Sequence, residues 1–482
     1  MRNHTLLTDL YQLTMMNGYF ENNSHEDTVI FDLFFRKNPC NNSFTIIAGI
    51  EQVIDYIENL GFTEEDIQYL RSLNLFGEAF LDMLKQFTFT GTIYGVQEGS
   101  IMFPHEPILR VKASVLQAQL IETALLNMIN FQSLIATKAS RIVEAAKGDP
   151  VFEFGLRRAQ GPDAGIYGAR AAVIGGCVAT SNILAGKLFD LPVVGTHAHS
   201  WIQKFDSELE AFRAYAKAYP DKCLLLVDTY DTLKSGIPNA LTVFNELREK
   251  GYEPKGIRID SGDLAYISKQ ARRMLDDAGY EKVGIVASSD LDEDTIDSLK
   301  LQGASINSWG VGTNLITSKD CPALGGVYKL SAVEKSGTLI PKMKLSDNPG
   351  KITNPGYKKV IRIYEAENNR AQADLILLEE EEIDTTKPLT IFHPLYTWKK
   401  KTFSNYKVRE MLMPIYEDGK LVYPRKTVNE IRAYVRQELS TLWPEYKRLN
   451  RPQLYKVDLS QKLWSLKHNM IQSLKKDKKD DE

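Results

Sequence analysis

Between residues 151 and 313 the chain carries six short apolar runs, each stopping at a small, polar or charged residue: 151–155, 192–199, 223–228, 256–260, 283–289 and 304–313. Helix-patterned stretches fill most of the intervals. Leu209, Phe212 and Tyr215 mark one between Ser207 and Pro220, residues 237–250 form the next, and residues 264–278 a third with Gly279 as its stop. Strands alternating with helices at about thirty residues per pair predict βαβ units and a parallel sheet. In a barrel of such units the loops after the C-terminal strand ends line the active site, so Phe154, His199, Asp228, Asp260, Ser289 and Thr313 are expected to face one cavity. Fewer than eight clean units are legible, which predicts an irregular α/β barrel.

The flanks read differently. Residues 6–20 have helical apolar spacing, 28–35 alternate as a strand, and 44–60 read as a strand followed by a helix. Residues 88–95 and 107–113 predict strands joined through the turn-rich Glu98-Gly99-Ser100. From 116 to 145 neither proline nor glycine interrupts a strongly apolar helical pattern, expected to bridge the first domain to the barrel. After Tyr328 a segment rich in lysine and turn residues, 342–358, leads to a hairpin over 360–364 and 371–378, then to helices over 427–442 and 459–474. The expected organisation is an N-terminal α+β domain over 1–125, a catalytic irregular barrel over 126–345 and a mostly helical C-terminal region over 346–482. The mixed-charge tail from Lys475 to Glu482 is expected to fray.

Composition narrows the function classes. A chain of 482 residues with 43% hydrophobic and 25% charged residues is globular and long enough for two or three domains. Lys+Arg 59 against Asp+Glu 62 leave a net charge of −3, so no basic field points to nucleic acid or an anionic membrane, and a small substrate is the better expectation. Asp9 interrupts any signal-like apolar core near the start, and no run reaches spanning length, which predicts a cytoplasmic protein. Cys40, Cys177, Cys223 and Cys321 are scattered, fitting buried small hydrophobes better than a disulfide framework, a zinc site or a nucleophile.

Four segments carry candidate chemistry. Arg258-Ile259-Asp260-Ser261-Gly262-Asp263 ends a strand with two carboxylates around a glycine before a helix; the acids suit sugar hydroxyls or magnesium, while Asp260 and Ser261 equally suit a helix cap. Gly310-Val311-Gly312-Thr313-Asn314 is a small-residue turn against which a phosphate fits, and Ser288-Ser289-Asp290 would stand beside it in a barrel. His197 and His199 lie two apart in Gly195-Thr196-His197-Ala198-His199-Ser200; the other histidines stand at no spacing that completes a metal site, whereas an imidazole can accept a phosphoryl group or simply pack in the core. Phe152 to Asp163 joins an aromatic strand end to Arg157-Arg158, a ring to stack on a planar ligand and a fork for a carboxylate or phosphate.

Together, Leu7-Thr8-Asp9-Leu10-Tyr11-Gln12-Leu13-Thr14-Met15, Glu153 to Gly161, Gly195 to Ser200, Ile259 to Asp263 and Val311 to Asn314 resemble the nicotinate phosphoribosyltransferases, in order and over nearly the whole chain. The resemblance implies a type II phosphoribosyltransferase fold and an ATP-coupled reaction. Nicotinate and phosphoribosyl pyrophosphate would give nicotinate mononucleotide and pyrophosphate, with ATP hydrolysed, as the entry to NAD salvage from nicotinic acid. It further implies a head-to-tail homodimer with interface active sites. By motif, His199 would be the phosphorylated histidine and, with Asp260, the catalytic pair, while His197 falls where the pattern is open. Phe154 would stack on one face of the pyridine and Tyr11 from the partner subunit on the other. Arg157 and Ser200 would meet the nicotinate carboxylate. Arg258, Asp260 and Asp263 would hold phosphoribosyl pyrophosphate through its pyrophosphate, its ribose hydroxyls or bound Mg2+, the metal being held through substrate or by Asp260 and Asp263, and Gly312 and Thr313 would receive the 5-phosphate. Thr196, Ser261, Gly262 and Ser288 complete the implied substrate-binding set.

Two alternatives compete. A nicotinamide-specific relative would need an acceptor for the amide, and Ala179-Thr180-Ser181-Asn182 offers no carboxylate, which favours the acid. A non-catalytic nucleotide-binding barrel has no use for paired aspartates beside His199. The lysine-rich 342–358 segment is compatible with ATP phosphates or with solvent.

Overall fold

The computed structural model describes residues 3–39 and 41–480, and it folds as two compact units of mixed α/β structure, residues 1–134 with 323–482 and residues 135–322. Cys40, Asp481 and Glu482 lie outside the described residues. This grouping differs from the three consecutive segments expected from the sequence in that residues 323–482 group with 1–134. Strand pairing is the reason. Thr28–Phe35 lies between Leu109–Ser114 and Gly326–Lys335, antiparallel to both, and Thr92–Val96 pairs with Leu412–Glu417. All seven strands of this sheet are antiparallel neighbours. Val29 to Phe35 are all buried, and Asp32 among them is neutralised by Lys358 Nζ at 2.7 Å. Lys358 therefore belongs to a strand and to the core, which removes it from the lysine-rich loop expected over 342–358.

The region after 346 is not mostly helical. A four-stranded sheet in the order Tyr406–Glu410, Lys358–Glu365, Ala371–Leu378, Val457–Leu459 organises it, with helices Val428–Thr441 and Gln461–Asp480. Ile361, Ile363, Ala373, Leu375 and Leu377 form its apolar core. Arg362 is buried within the sheet against Asp374, Glu438 and the carbonyl of Ile101. The last helix continues through Asp480, so residues 475–480 are helical rather than frayed.

In the second unit six parallel strands stand in the order Ala179–Thr180, Val151–Glu153, Ser308–Val311, Gly284–Ala287, Gly256–Ile259, Leu224–Leu226. Helices follow most of them. Glu208–Ala218, Ile237–Glu249 and Leu264–Asp277 match the predicted periodicity, Glu293–Leu301 adds a helix not predicted, and Asp263 and Asp292 cap the last two through the amides of Tyr266 and Thr295. Residues 192–199 form no strand of their own: Val193 makes one parallel bridge to Thr180, and His199 opens the short helix His199–Gln203. Because all six strands run the same way, their C-terminal ends bring residues 154, 181, 228, 260, 288 and 312 to one rim.

Cys177 and Cys223 are buried, and burial pushes the Cys223 thiol up to about 12, far from a thiolate at neutral pH. Among the described residues no helix is long and apolar enough to cross a membrane.

Candidate active site

Strand Val151–Glu153 ends in a buried glutamate that shapes the first wall. The Glu153 carboxylate accepts Thr180 Oγ1 at 2.5 Å and the amide of Gly155. Burial raises its pKa, and the two donors work against that rise. The turn so held projects Phe154 and leads into a one-turn 3-10 helix, Leu156–Arg158. The Phe154 ring rests against Gly310, where any Cβ would stand 2.6 Å from ring carbon Cδ2.

Arg258, third residue of its strand, organises the opposite wall. Its guanidinium donates to Ser288 Oγ at 2.8 Å, Asp260 Oδ1 at 2.9 Å and Thr196 Oγ1 at 3.2 Å, and stands 5.6 Å from the Phe154 ring centroid. The Ser288 hydroxyl donates in turn to Asp260 Oδ1. From the next strand, Asp228 Oδ2 accepts the Asp260 amide at 2.9 Å and Ser261 Oγ at 2.6 Å, while its Oδ1 is buried without a hydrogen-bond partner.

These walls enclose a cavity of about 380 Å³. Of the residues singled out in the sequence, Phe154, Arg157, Thr196, His197, Arg258, Asp260, Ser288, Ser289, Asp290, Gly312 and Thr313 line it, whereas His199 and Asp228, expected to face it, stand outside the lining. Arg158 and Ser181 join them. Arg158 stands beside Arg157 in the sequence and Ser181 one step past a strand end; neither had a role of its own assigned from sequence. Ser289 holds a left-handed backbone, φ 102°, a strained conformation for a residue with a side chain, at the cavity wall. Three arginines against Asp260 and Asp290 leave the lining net positive, suited to carboxylate and phosphate groups.

The two histidines separate. His197 is turned inward at 8% exposure, packs against Phe212 and Tyr215, and accepts the Leu226 amide on Nε2 at 3.2 Å. Burial lowers its pKa to about 4, so it is neutral at physiological pH. His199 is 40% exposed beside the cavity, with Nδ1 at 3.1 Å from Thr229 Oγ1 and Nε2 at 3.9 Å from Asp260 Oδ2.

Several expected residues stand elsewhere. Ser261, Gly262 and Asp263 are exposed and outside the lining, and the capping role offered to Asp260 and Ser261 falls to Asp263. Ser200 is exposed on the short helix that His199 opens. Tyr11 belongs to the first unit, 49% exposed on helix Leu10–Glu21. Among the described residues no group of three or more His, Cys, Asp or Glu side chains is arranged to hold a metal ion. Asp228, whose carboxylate holds the Asp260 amide, keeps one oxygen without a hydrogen-bond partner, a donor of the kind Mg2+ takes.

Three family models cover most of the chain: the nicotinate phosphoribosyltransferase N-terminal domain over residues 6–130, the nicotinate phosphoribosyltransferase family over 150–373, and its C-terminal domain over 357–467. The chain belongs to the nicotinate phosphoribosyltransferase family. It is 48% identical over 471 residues to a Bacillus subtilis (strain 168) protein named nicotinate phosphoribosyltransferase, covering 98% of this chain and 96% of that one. A protein of the same name from Caenorhabditis elegans is 38% identical over 529 residues, covering 96% and 93%. The crystal structure of human nicotinic acid phosphoribosyltransferase matches with a TM-score of 0.85 at 32% identity, over 96% of this chain and 100% of that one. As a member of this enzyme family the chain carries the cavity at its strand ends, within the 150–373 match.

Proposed function

We propose that the chain transfers the phosphoribosyl group of phosphoribosyl pyrophosphate to the ring nitrogen of nicotinate, with ATP hydrolysis coupled through phosphorylated His199. The cluster of Phe154, Arg258, Asp260 and Ser288 around one net-positive cavity carries this reading. Phe154 stacks on the pyridine, and Arg157 or Arg158 pairs with its carboxylate. Arg258 meets the pyrophosphate, and the turn at Gly312 and Thr313 takes the 5-phosphate. The pyridine nitrogen attacks ribose C1 as the bond from C1 to pyrophosphate breaks. Asp260 stands near the positive charge that develops on the sugar. Asp228 and Asp260 are the carboxylates that would meet Mg2+, which when bound neutralises pyrophosphate as it leaves.

In the coupled reaction a ring nitrogen of His199 attacks the γ-phosphorus of ATP, an N–P bond forms and the bond to ADP breaks. Water later cleaves the N–P bond, releasing phosphate and restoring the imidazole. Part of this reading is that the parallel sheet curls into an irregular barrel. Residues 192–197 support it, bridging Thr180 on one edge strand through Val193 and Leu226 on the other through His197. A homodimer completes the site, with the partner subunit's Tyr11 covering the second face of the pyridine. Exposed Leu7, Leu10, Tyr11 and Met15 on one chain, and Ile183, Leu184 and Leu188 beside the cavity residue Ser181, supply apolar surface for such an interface. The reaction is assigned to the cytoplasm, where a reduced thiol such as Cys223 is stable.

The test is formation of nicotinate mononucleotide from nicotinate and phosphoribosyl pyrophosphate, with and without ATP, and with nicotinamide as competitor. Gamma-labelled ATP should leave an acid-labile label that His199→Ala abolishes. Product from nicotinamide instead of nicotinate overturns the substrate assignment, and label persisting in His199→Ala overturns the phosphohistidine.

A further inference from the structure

One turn of the second unit touches both functional groups of the proposed reaction. After strand Leu224–Leu226 the chain passes through Val227, and the next two side chains diverge. Asp228 Oδ2 holds the Asp260 amide at 2.9 Å and Ser261 Oγ at 2.6 Å. Thr229 Oγ1 stands 3.1 Å from His199 Nδ1. The far side of the turn is pinned as well. Asp231 Oδ1 accepts the amides of Leu233 and Lys234, opening the π-helical turn Thr232–Gly236, and a Cβ at Gly236 would stand 1.8 Å from the Val227 carbonyl oxygen. Gly236 is thus the residue that allows the turn to fold back beneath its own strand end.

His199 itself begins a five-residue helix and is 40% exposed, so little packing fixes its ring. A hydroxyl at hydrogen-bond distance from one ring nitrogen holds the angle of an imidazole, and because it can donate or accept it serves either tautomer. The other nitrogen faces Asp260 Oδ2 at 3.9 Å. Whichever nitrogen takes a phosphoryl group must give up one of these contacts: the first parts from Thr229, and the second sets new negative charge beside the Asp260 carboxylate.

We propose that Thr229 is a positioning residue for His199, and that the Asp228-Thr229 turn ties the state of His199 to the placement of Asp260. This rests on the function proposed above and adds to it the residue through which the histidine is oriented. In this role Nε2 is the nitrogen that takes the phosphoryl group, and the Thr229 hydroxyl acts on it through Nδ1 and the imidazole ring.

The experiment compares Thr229→Val, which keeps the shape and removes the hydroxyl, with Thr229→Ser, which keeps the hydroxyl. The readouts are the rate of acid-labile labelling from gamma-labelled ATP, the ATP hydrolysed per nicotinate mononucleotide formed, and ATP-independent product formation. In Thr229→Val the labelling rate is expected to fall about tenfold, what one lost hydrogen bond accounts for. ATP-independent turnover should stay within twofold, and Thr229→Ser should label like the wild type. Circular dichroism and unfolding temperature confirm that both variants fold; should Thr229→Val not fold, Thr229→Ala takes its place. Equal labelling of Thr229→Val and wild type overturns the positioning role. So does an equal loss in ATP-independent turnover, the signature of general damage. Wild-type enzyme that forms no label overturns instead the function on which this inference rests, so the two failures are distinguishable.

Discussion

Gly310→Ala tests whether the Phe154 ring is a binding surface whose position matters. The added methyl would stand 2.6 and 2.7 Å from two ring carbons of Phe154 and an ordinary 3.5 Å from Ser288 Cβ. Non-bonded carbons settle at about 3.5–4.0 Å, so the ring must retreat by about 1 Å. It is half-buried and borders the cavity, so the retreat carries it into the space proposed for the pyridine. Because the ring has somewhere to go, the stability cost should sit near the lower end of overpacking, about 1 kcal/mol. The loss of stacking geometry is worth about 0.5–1.5 kcal/mol, which corresponds to a rise of up to about tenfold in KM for nicotinate. Steady-state kinetics with nicotinate varied at saturating phosphoribosyl pyrophosphate, alongside calorimetric Tm, separate the two effects. KM for phosphoribosyl pyrophosphate should move less than twofold. Since both changes act through one ring, Gly310→Ala combined with Phe154→Ala should be no worse than Phe154→Ala alone. An unchanged nicotinate KM in Gly310→Ala, or full additivity of the two losses, would refute the reasoning.

Two predictions concern stability. His197 has a pKa of about 4 in the fold against about 6.5 in an unfolded chain, so the unfolded state takes up its proton first and stability falls as pH drops from about 6.5 to 4. The contribution, roughly 3 kcal/mol, is present above that window; urea titrations from pH 4 to 7 should show a shallower acid loss in His197→Gln, and identical slopes would reject it. In the first unit, Arg362→Leu leaves Asp374 buried without its cation, while Glu438 keeps Arg409, and should cost about 3–5 kcal/mol. A Tm within 2 °C of wild type, at a few degrees per kcal/mol, would contradict that.

Local patterning was legible in the sequence because it reports a residue's own environment. Strand 28–35 was read at its observed bounds, Thr28–Phe35, although it is buried on both faces rather than alternating, and the hairpin at 360–378 and the helices at 237–250 and 264–278 emerged at nearly their predicted bounds. The rim was legible for the same reason, since parallel strands put equivalent ends together. What could not be read is pairing between distant segments: nothing near Thr28–Phe35 announces Gly326–Lys335. The C-terminal strands were missed because their short amphipathic runs resemble loops until a neighbouring strand buries one face. Within the site, Arg258 was identified by motif, but its bonds to Thr196 and Ser288 depend on register across three segments. The assignment of the helix cap to Asp263, and of Asp260 to the arginine, likewise needed three-dimensional distances.

The split arrangement of the first unit has a consequence for biogenesis. Thr28–Phe35 leaves the ribosome early, and Leu109–Ser114 soon follows to cover one edge, but its second neighbour, Gly326–Lys335, is synthesised roughly 300 residues later. At about 5–20 residues per second, that edge stays open for roughly 15–60 s while the 135–322 unit emerges whole. A nascent chain stalled or truncated before residue 326 would present a long apolar strand with nothing to zip onto it, a template for aggregation and a natural substrate for chaperones.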